Sequence, residues 1–146
     1  MIKIDFPKEQ PKLRQKGSVN EIFDAIRKKW LVVTPEEWVR QNIILFLLLR
    51  KNYPSSLISV EKEIRLADLK KRYDIVVFNR ETIPWMIIEC KEMNTRLSEK
   101  TMEQILRYHI SIPCKYLMIT NGSHCFGFKK SNDRFEETDF FPDFDF

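Results

Sequence analysis

Residues 73–91, YDIVVFNRETIPWMIIECK, decide how this chain is read. Two apolar, β-branched stretches, Tyr73 to Asn79 and Trp85 to Lys91, flank a polar link near Glu81 to Pro84, the composition of two strands paired as a hairpin. Each stretch carries charge where a buried strand gives no reason for one. Asp74 precedes Ile75-Val76-Val77-Phe78, and Glu89 and Lys91 follow Met86-Ile87-Ile88. Side chains alternate along a strand, so Glu89 and Lys91 share one face while Cys90 points to the other. A hairpin sets the Asp74 carboxylate beside Glu89, and two crowded carboxylates repel unless a cation lies between them. Mg²⁺ suits such a site, because it takes one or two protein carboxylates, keeps several waters and reaches phosphate oxygens. A lysine there can orient or help deprotonate an attacking water and offset charge building on phosphorus. The reaction class is phosphodiester hydrolysis.

The bare pattern of acid, any residue, lysine is weakly specific. Asp68-Leu69-Lys70 fits it too, but in a charged segment with no buried strand before it. The competing structural reading is an Asp-Lys-Glu ladder across the surface of a hairpin.

Outward from the hairpin, Thr34, Pro35 and Glu37 stand at the spacing of a cap, a first-turn proline and a returning acid, and predict a helix from about Pro35 to Lys51. Leu57 to Leu66 alternates as a half-buried strand, with Lys70-Lys71-Arg72 as the turn after it. Ser98 caps a second helix through about Ile110, with Met102, Ile105, Leu106 and His109 on one stripe. Tyr116 to Thr120 reads as a buried strand, Asn121-Gly122 as a tight turn and His124 to Lys129 as another strand. Residues 18–33 fit either a helix capped by Ser18 and Glu21 or a strand at Trp30 to Val33. The order implies an α/β fold, a mixed central sheet flanked by helices. Residues 1–17 are expected as an extended arm, 18–135 as the domain and 136–146 as an acidic, aromatic tail.

A chain of 146 residues fits one domain, and 43% hydrophobic with 32% charged residues is the balance of a globular protein. The longest apolar run, Ile43 to Leu49, has seven residues, against about 20 for a bilayer span. The N-terminus lacks the pattern of a secretory signal, so a cytoplasmic location is expected. Cys90, Cys114 and Cys125 form no CxxC pair, and His109 and His124 follow no zinc-finger spacing. Lone residues such as His109, His124 and Cys125 are expected to be packing or surface residues rather than ligands, and the phenylalanines of the tail to dock onto the body rather than bind a partner. The three glycines form no phosphate loop, so no nucleotide site is expected. Net charge is +4, and setting aside the tail's five of 21 acids leaves 16 against 25 basic residues, a body at +9. Such a body favours a polyanion such as DNA, with the acidic tail competing for the same surface.

KRYDIVVF, IPWMIIECKEMN, EQILRYH and YLMITNG, with VVTPEEWVRQNIILFLLL before them, resemble the N-terminal nuclease domain of type I restriction enzyme R subunits, a branch of the PD-(D/E)XK superfamily. The resemblance spans roughly residues 20–128 and implies a restriction-endonuclease-like fold. It also implies Asp74 and Glu89 as metal ligands, the backbone carbonyl of Cys90 as a third, Lys91 as the water-positioning residue, and Mg²⁺ as cofactor with Mn²⁺ as substitute. Gln104 and Tyr108 match the Q-x-x-x-Y signature of RecB-like nucleases and fall on one side of a helix. Glu37 stands where many relatives carry an acid that approaches the metal, although a capping-box role explains it equally. Tyr73 replaces the proline of the motif's name. No Walker motif follows, so type I restriction would require other subunits as partners. A non-catalytic nuclease-fold module that binds nucleic acid or a partner subunit is the alternative reading.

Overall fold

The hairpin expected from residues 73–91 is present and lies inside the larger of two sheets. A computed structural model describes residues 1–144, with Leu66 and Leu69 as backbone alone; Asp145 and Phe146 of the expected tail lie outside the described residues. The elements are β1 (Leu13–Lys16), β2 (Val19–Asp24), β3 (Lys29–Val32), α1 (Pro35–Leu45), β4 (Ile58–Leu66), β5 (Leu69–Phe78), β6 (Pro84–Cys90), α2 (Glu99–His109), β7 (Tyr116–Thr120), β8 (Cys125–Ser131) and β9 (Arg134–Thr138). The larger sheet runs β4-β5-β6-β7-β8-β9, and only β6 and β7 pair in parallel. A parallel pair needs a crossover, and α2 supplies it.

From Ile75 to Phe78 of β5, from Trp85 to Ile88 of β6 and throughout β7 the strands are apolar without alternation because both of their faces are covered. Ile75, Val77, Met86, Ile88, Cys90 and Met118 meet Val39, Ile43, Ile44 and Leu47 on the α1 side. Val76, Ile87, Leu117 and Ile119 meet Met102 of α2 and Ile112 on the other side. This is a mixed sheet with a helix on each face, an α/β arrangement of the restriction-endonuclease-like type.

Both helix starts follow from their caps. The Thr34 hydroxyl accepts from the Glu37 backbone N–H at 3.0 Å ahead of Pro35, and Ser98 accepts from that of Thr101 at 3.3 Å. From Phe46 to Arg50, α1 widens into a π-helical turn, so the predicted end near Lys51 holds for the helical segment as a whole. Asn121-Gly122 turns as expected, with Gly122 at φ +90° and Asn121 Oδ1 accepting from the N–H groups of Ser123 and His124.

The expected turn at Lys70-Lys71-Arg72 is instead the start of β5. The reversal falls at Ala67-Asp68, with Ala67 at φ +51°. Arg72 pairs with Glu63 and Lys71 with Ile64, an exposed extension of the hairpin whose charged composition imitates a loop. Of the two readings open for residues 18–33, the strand at Trp30 to Val33 is found, as β3, while the alternative helix start at Ser18 and Glu21 is instead a strand, β2. With β1 they form a separate antiparallel sheet reaching into the expected arm, whose start is also tied, by a bridge from Ile2 to Cys125. At the other end β9 crosses residue 136. Beyond it, Phe141 and Phe144 pack with Phe46, Tyr53 and Trp85, while Phe140 stays 50% exposed.

Candidate active site

Asp74 sits in the middle of β5 and Glu89 one residue from the end of β6, brought together by the register Ile75↔Ile88. On the other edge of β6 the Lys91 N–H bonds to the Thr120 carbonyl at 2.8 Å, so the Cys90 N–H turns towards β5. Asp74 Oδ2 accepts that N–H at 2.8 Å, and Asp74 Oδ1 accepts from the Arg40 guanidinium at 3.0 Å. Despite these two donors, burial first and then the charge of Glu89 push the Asp74 carboxyl up to about 7. The two acids are therefore electrostatically crowded, as the sequence predicts.

Around them lies an ion network that the sequence alone does not disclose. Arg40, only 5% exposed, reaches Glu36, Glu37, Glu61 and Asp74. Burial opposes its charge, but Glu37, Asp74 and Glu61 outweigh that and hold its proton more tightly than usual. Glu61 on β4 lies between the paired residues Val60↔Ile75 and Lys62↔Tyr73, hence opposite Asp74, and has φ +51°. A left-handed residue that is not glycine costs about 1–2 kcal/mol. Here it accompanies ion pairs from Glu61 to Arg40 and Arg27. Arg27 is held in turn by fully buried Asp24: burial raises that carboxyl, yet hydrogen bonds from Arg27 and Ile26 more than offset it and leave it below the usual range. The signal that could have found the network is Glu37, Arg40 and Gln41 at helical spacing, a polar stripe on the buried side of α1.

Glu37 is engaged by its cap, by Arg40 at 3.0 Å and by Gln41 at 3.2 Å, and reaches Asp74 only through Arg40. Lys91 is half-buried, and among the described residues its ammonium makes no hydrogen bond or ion pair. Gln104 and Tyr108 lie on the exposed side of α2. The Tyr108 ring packs against Tyr73 at 6.4 Å, with the Lys71 ammonium 4.0 Å above it. The α2 residue that does reach the acids is His109, whose Nε2 lies 3.3 Å from Glu89 Oε1. The Cys90 thiol is buried in the core and pushed well up by that burial, so only its backbone belongs to the site. A cleft of about 410 Å³ between residues 93–97 and Asn121, Ser123, His124 and Phe126 includes none of Asp74, Glu89 and Lys91.

The donor set fits a hard divalent ion. Both side chains, when ionised, are acceptor-only carboxylates, and a cation between them offsets both the burial and the Glu89 charge that raise Asp74. No third His, Cys, Asp or Glu among the described residues joins them in a metal-holding group, so further ligands would be backbone carbonyl, water or substrate.

Residues 35–142 match the family model described as type I restriction enzyme R protein N terminus. No curated protein matches the chain.

Proposed function

Because the chain belongs to the type I restriction enzyme R protein N-terminal family, which ties it to restriction and to a nuclease-related role, we propose that it is a Mg²⁺-dependent nuclease domain that hydrolyses DNA phosphodiester bonds. The observation that carries this reading is the pairing of Asp74 and Glu89 on adjacent strands, where burial first and the charge of Glu89 second push the Asp74 carboxyl up to about 7. Asp74 and Glu89 would hold the ion, with the Cys90 carbonyl as a further donor. When bound, Mg²⁺ supplies Lewis-acid polarisation of the phosphoryl group. Lys91 brings a positive charge, without an ion-pair partner among the described residues, to the end of the same strand, where it orients the attacking water and offsets charge on the phosphorane. Arg40 holds Asp74 from the α1 side and keeps its carboxylate in place. Gln104 and Tyr108 are assigned to the substrate side, since both are exposed on the helix that carries His109. Cleavage in a type I system takes place with motor and specificity subunits as partners.

A second reading has its own observation. Both oxygens of Asp74 already take donors, from Arg40 and from the Cys90 N–H, which suits a module that binds nucleic acid or a partner subunit without cutting. A DNA-nicking assay with Mg²⁺ and Mn²⁺ separates the two. The parent chain nicks, Asp74→Ala does not, and Lys91→Ala is slowed a hundredfold or more, about 3 kcal/mol for one preorganised charge, while it binds Mn²⁺ as well as the parent. A parent that binds DNA but never nicks it leaves the binding module. Full cleavage by Lys91→Ala makes the lysine structural.

A further inference from the structure

His109 has a chemical position that nothing in the catalytic assignment uses. It ends α2, is 1% exposed, and its ring lies 5.2 Å from that of Tyr73 and 5.0 Å from that of Tyr108. Nδ1 lies 2.7 Å from the Ile105 carbonyl, one turn back. A carbonyl only accepts, so Nδ1 carries a proton and donates it; a carboxylate also only accepts, so the contact with Glu89 is a hydrogen bond when Nε2 is protonated as well, with the ring as imidazolium. Nε2, on the other edge, is 3.3 Å from Glu89 Oε1. The imidazole is thus tied to helix backbone at one end and to a carboxylate at the other, with two tyrosine rings limiting its rotation.

We infer that His109 is a positioning residue for the metal site: it holds Glu89 by Oε1 and leaves Oε2 as the oxygen available to a divalent cation. This rests on the reading of Asp74 and Glu89 as ligands. A glutamate at a strand end has three rotatable bonds, and an ion that must collect it from many rotamers binds more weakly than one that meets it fixed. Among the described residues, no hydrogen-bond donor other than His109 reaches the Glu89 carboxylate. The rings of Tyr73 and Tyr108 then act one step further out by holding the histidine, which gives Tyr108 a use without contact with the acids. Partners that orient a ligand in this way typically change metal affinity by about 10–100-fold when removed.

Two substitutions split the contacts of the ring. In His109→Gln the side-chain amide takes the place of Nε2, keeping a donor for Glu89 and losing the bond to Ile105. In His109→Asn the amide takes the place of Nδ1, keeping the helix bond and losing Glu89. Calorimetric titration with Mn²⁺ on the whole chain, beside thermal unfolding of the same samples, reads the difference. His109→Asn binds Mn²⁺ at least tenfold more weakly than the parent and His109→Gln within about threefold, whichever of the two unfolds first. A purely structural histidine gives the other pattern, with affinities that follow the unfolding temperatures or do not change. Parent-like affinity in His109→Asn, or equal losses in both variants, overturns the assignment while leaving the two carboxylates as ligands. No Mn²⁺ binding by the parent overturns the metal reading and the role of His109 with it.

Discussion

At the scale of single residues, the site is defined by a carboxylate held against its preference. Asp74 has the donors that normally favour an ionised acid, an arginine and a backbone N–H, yet burial and Glu89 outweigh them. The consequence for stability has a definite sign. The carboxyl titrates near the usual value of about 3.9 when unfolded and at about 7 when folded, so between these pH values the folded chain binds the extra proton. Without a divalent ion, stability therefore falls as pH rises from about 4 to about 7: the cost of holding the buried carboxylate ionised is absent below that window and complete above it. Asp74→Asn removes the titration, and its stability gains on the parent's across the same window, by a few kcal/mol at most, since a tenfold change in proton affinity is worth about 1.4 kcal/mol. Melting curves in chelator-treated buffer check this, and parallel curves for the two proteins from pH 4 to 8 rule it out. Since a ligand must be ionised, Mn²⁺ binding by the parent tightens as pH rises through 7.

Among the elements, α1 does two jobs with two stripes. Val39, Ile43, Ile44 and Leu47 pack on the sheet, while Glu37, Arg40 and Gln41 place an ion network against Asp74. The start of the helix decides where the second stripe falls, and the Thr34 hydroxyl sets that start through Glu37. Thr34→Ala lowers stability by about 1 kcal/mol, seen as a lower urea midpoint at unchanged slope. The helix, the hairpin, the Ser98 cap and β7 are legible in the sequence because each rests on contacts within the element or on its own apolar composition. The start of β5 is not. Lys70 to Arg72 gain their strand conformation from pairing with Glu63 to Arg65, and nothing within those three residues favours it.

Across the whole molecule, charge and the tail have to be considered together. A body that retains nucleic acid through phosphates loses affinity steeply with salt and depends little on sequence. On charge alone, removal of residues 136–146 would expose that surface and tighten binding. The fold also gives the segment a structural role. It completes β9 and inserts Phe141 and Phe144 beside Tyr53 and Trp85, while the Tyr53 hydroxyl donates to the Pro142 carbonyl at 2.5 Å. Deleting it therefore lowers the unfolding temperature markedly, as expected for the loss of core aromatics worth about 3–5 kcal/mol each. Scanning calorimetry measures this directly, and an undiminished unfolding temperature with tighter DNA binding returns the tail to a purely electrostatic role.

The sequence by itself determined the first long helix, the central hairpin, the second helix and β7, and it marked Asp74, Glu89 and Lys91 as candidates, because strand alternation, apolar runs and caps are properties of neighbours along the chain. It also placed His109 on the inward stripe of the second helix, without a partner. Only the tertiary structure decided that this partner is Glu89, that Arg40 and Glu61 close around Asp74, and that residues 13–32 form a sheet of their own. Those outcomes depend on pairs separated by 20 to 34 positions and on strands stabilised chiefly by their partners. A carboxylate's environment is set by what burial brings against it, and burial belongs to the fold.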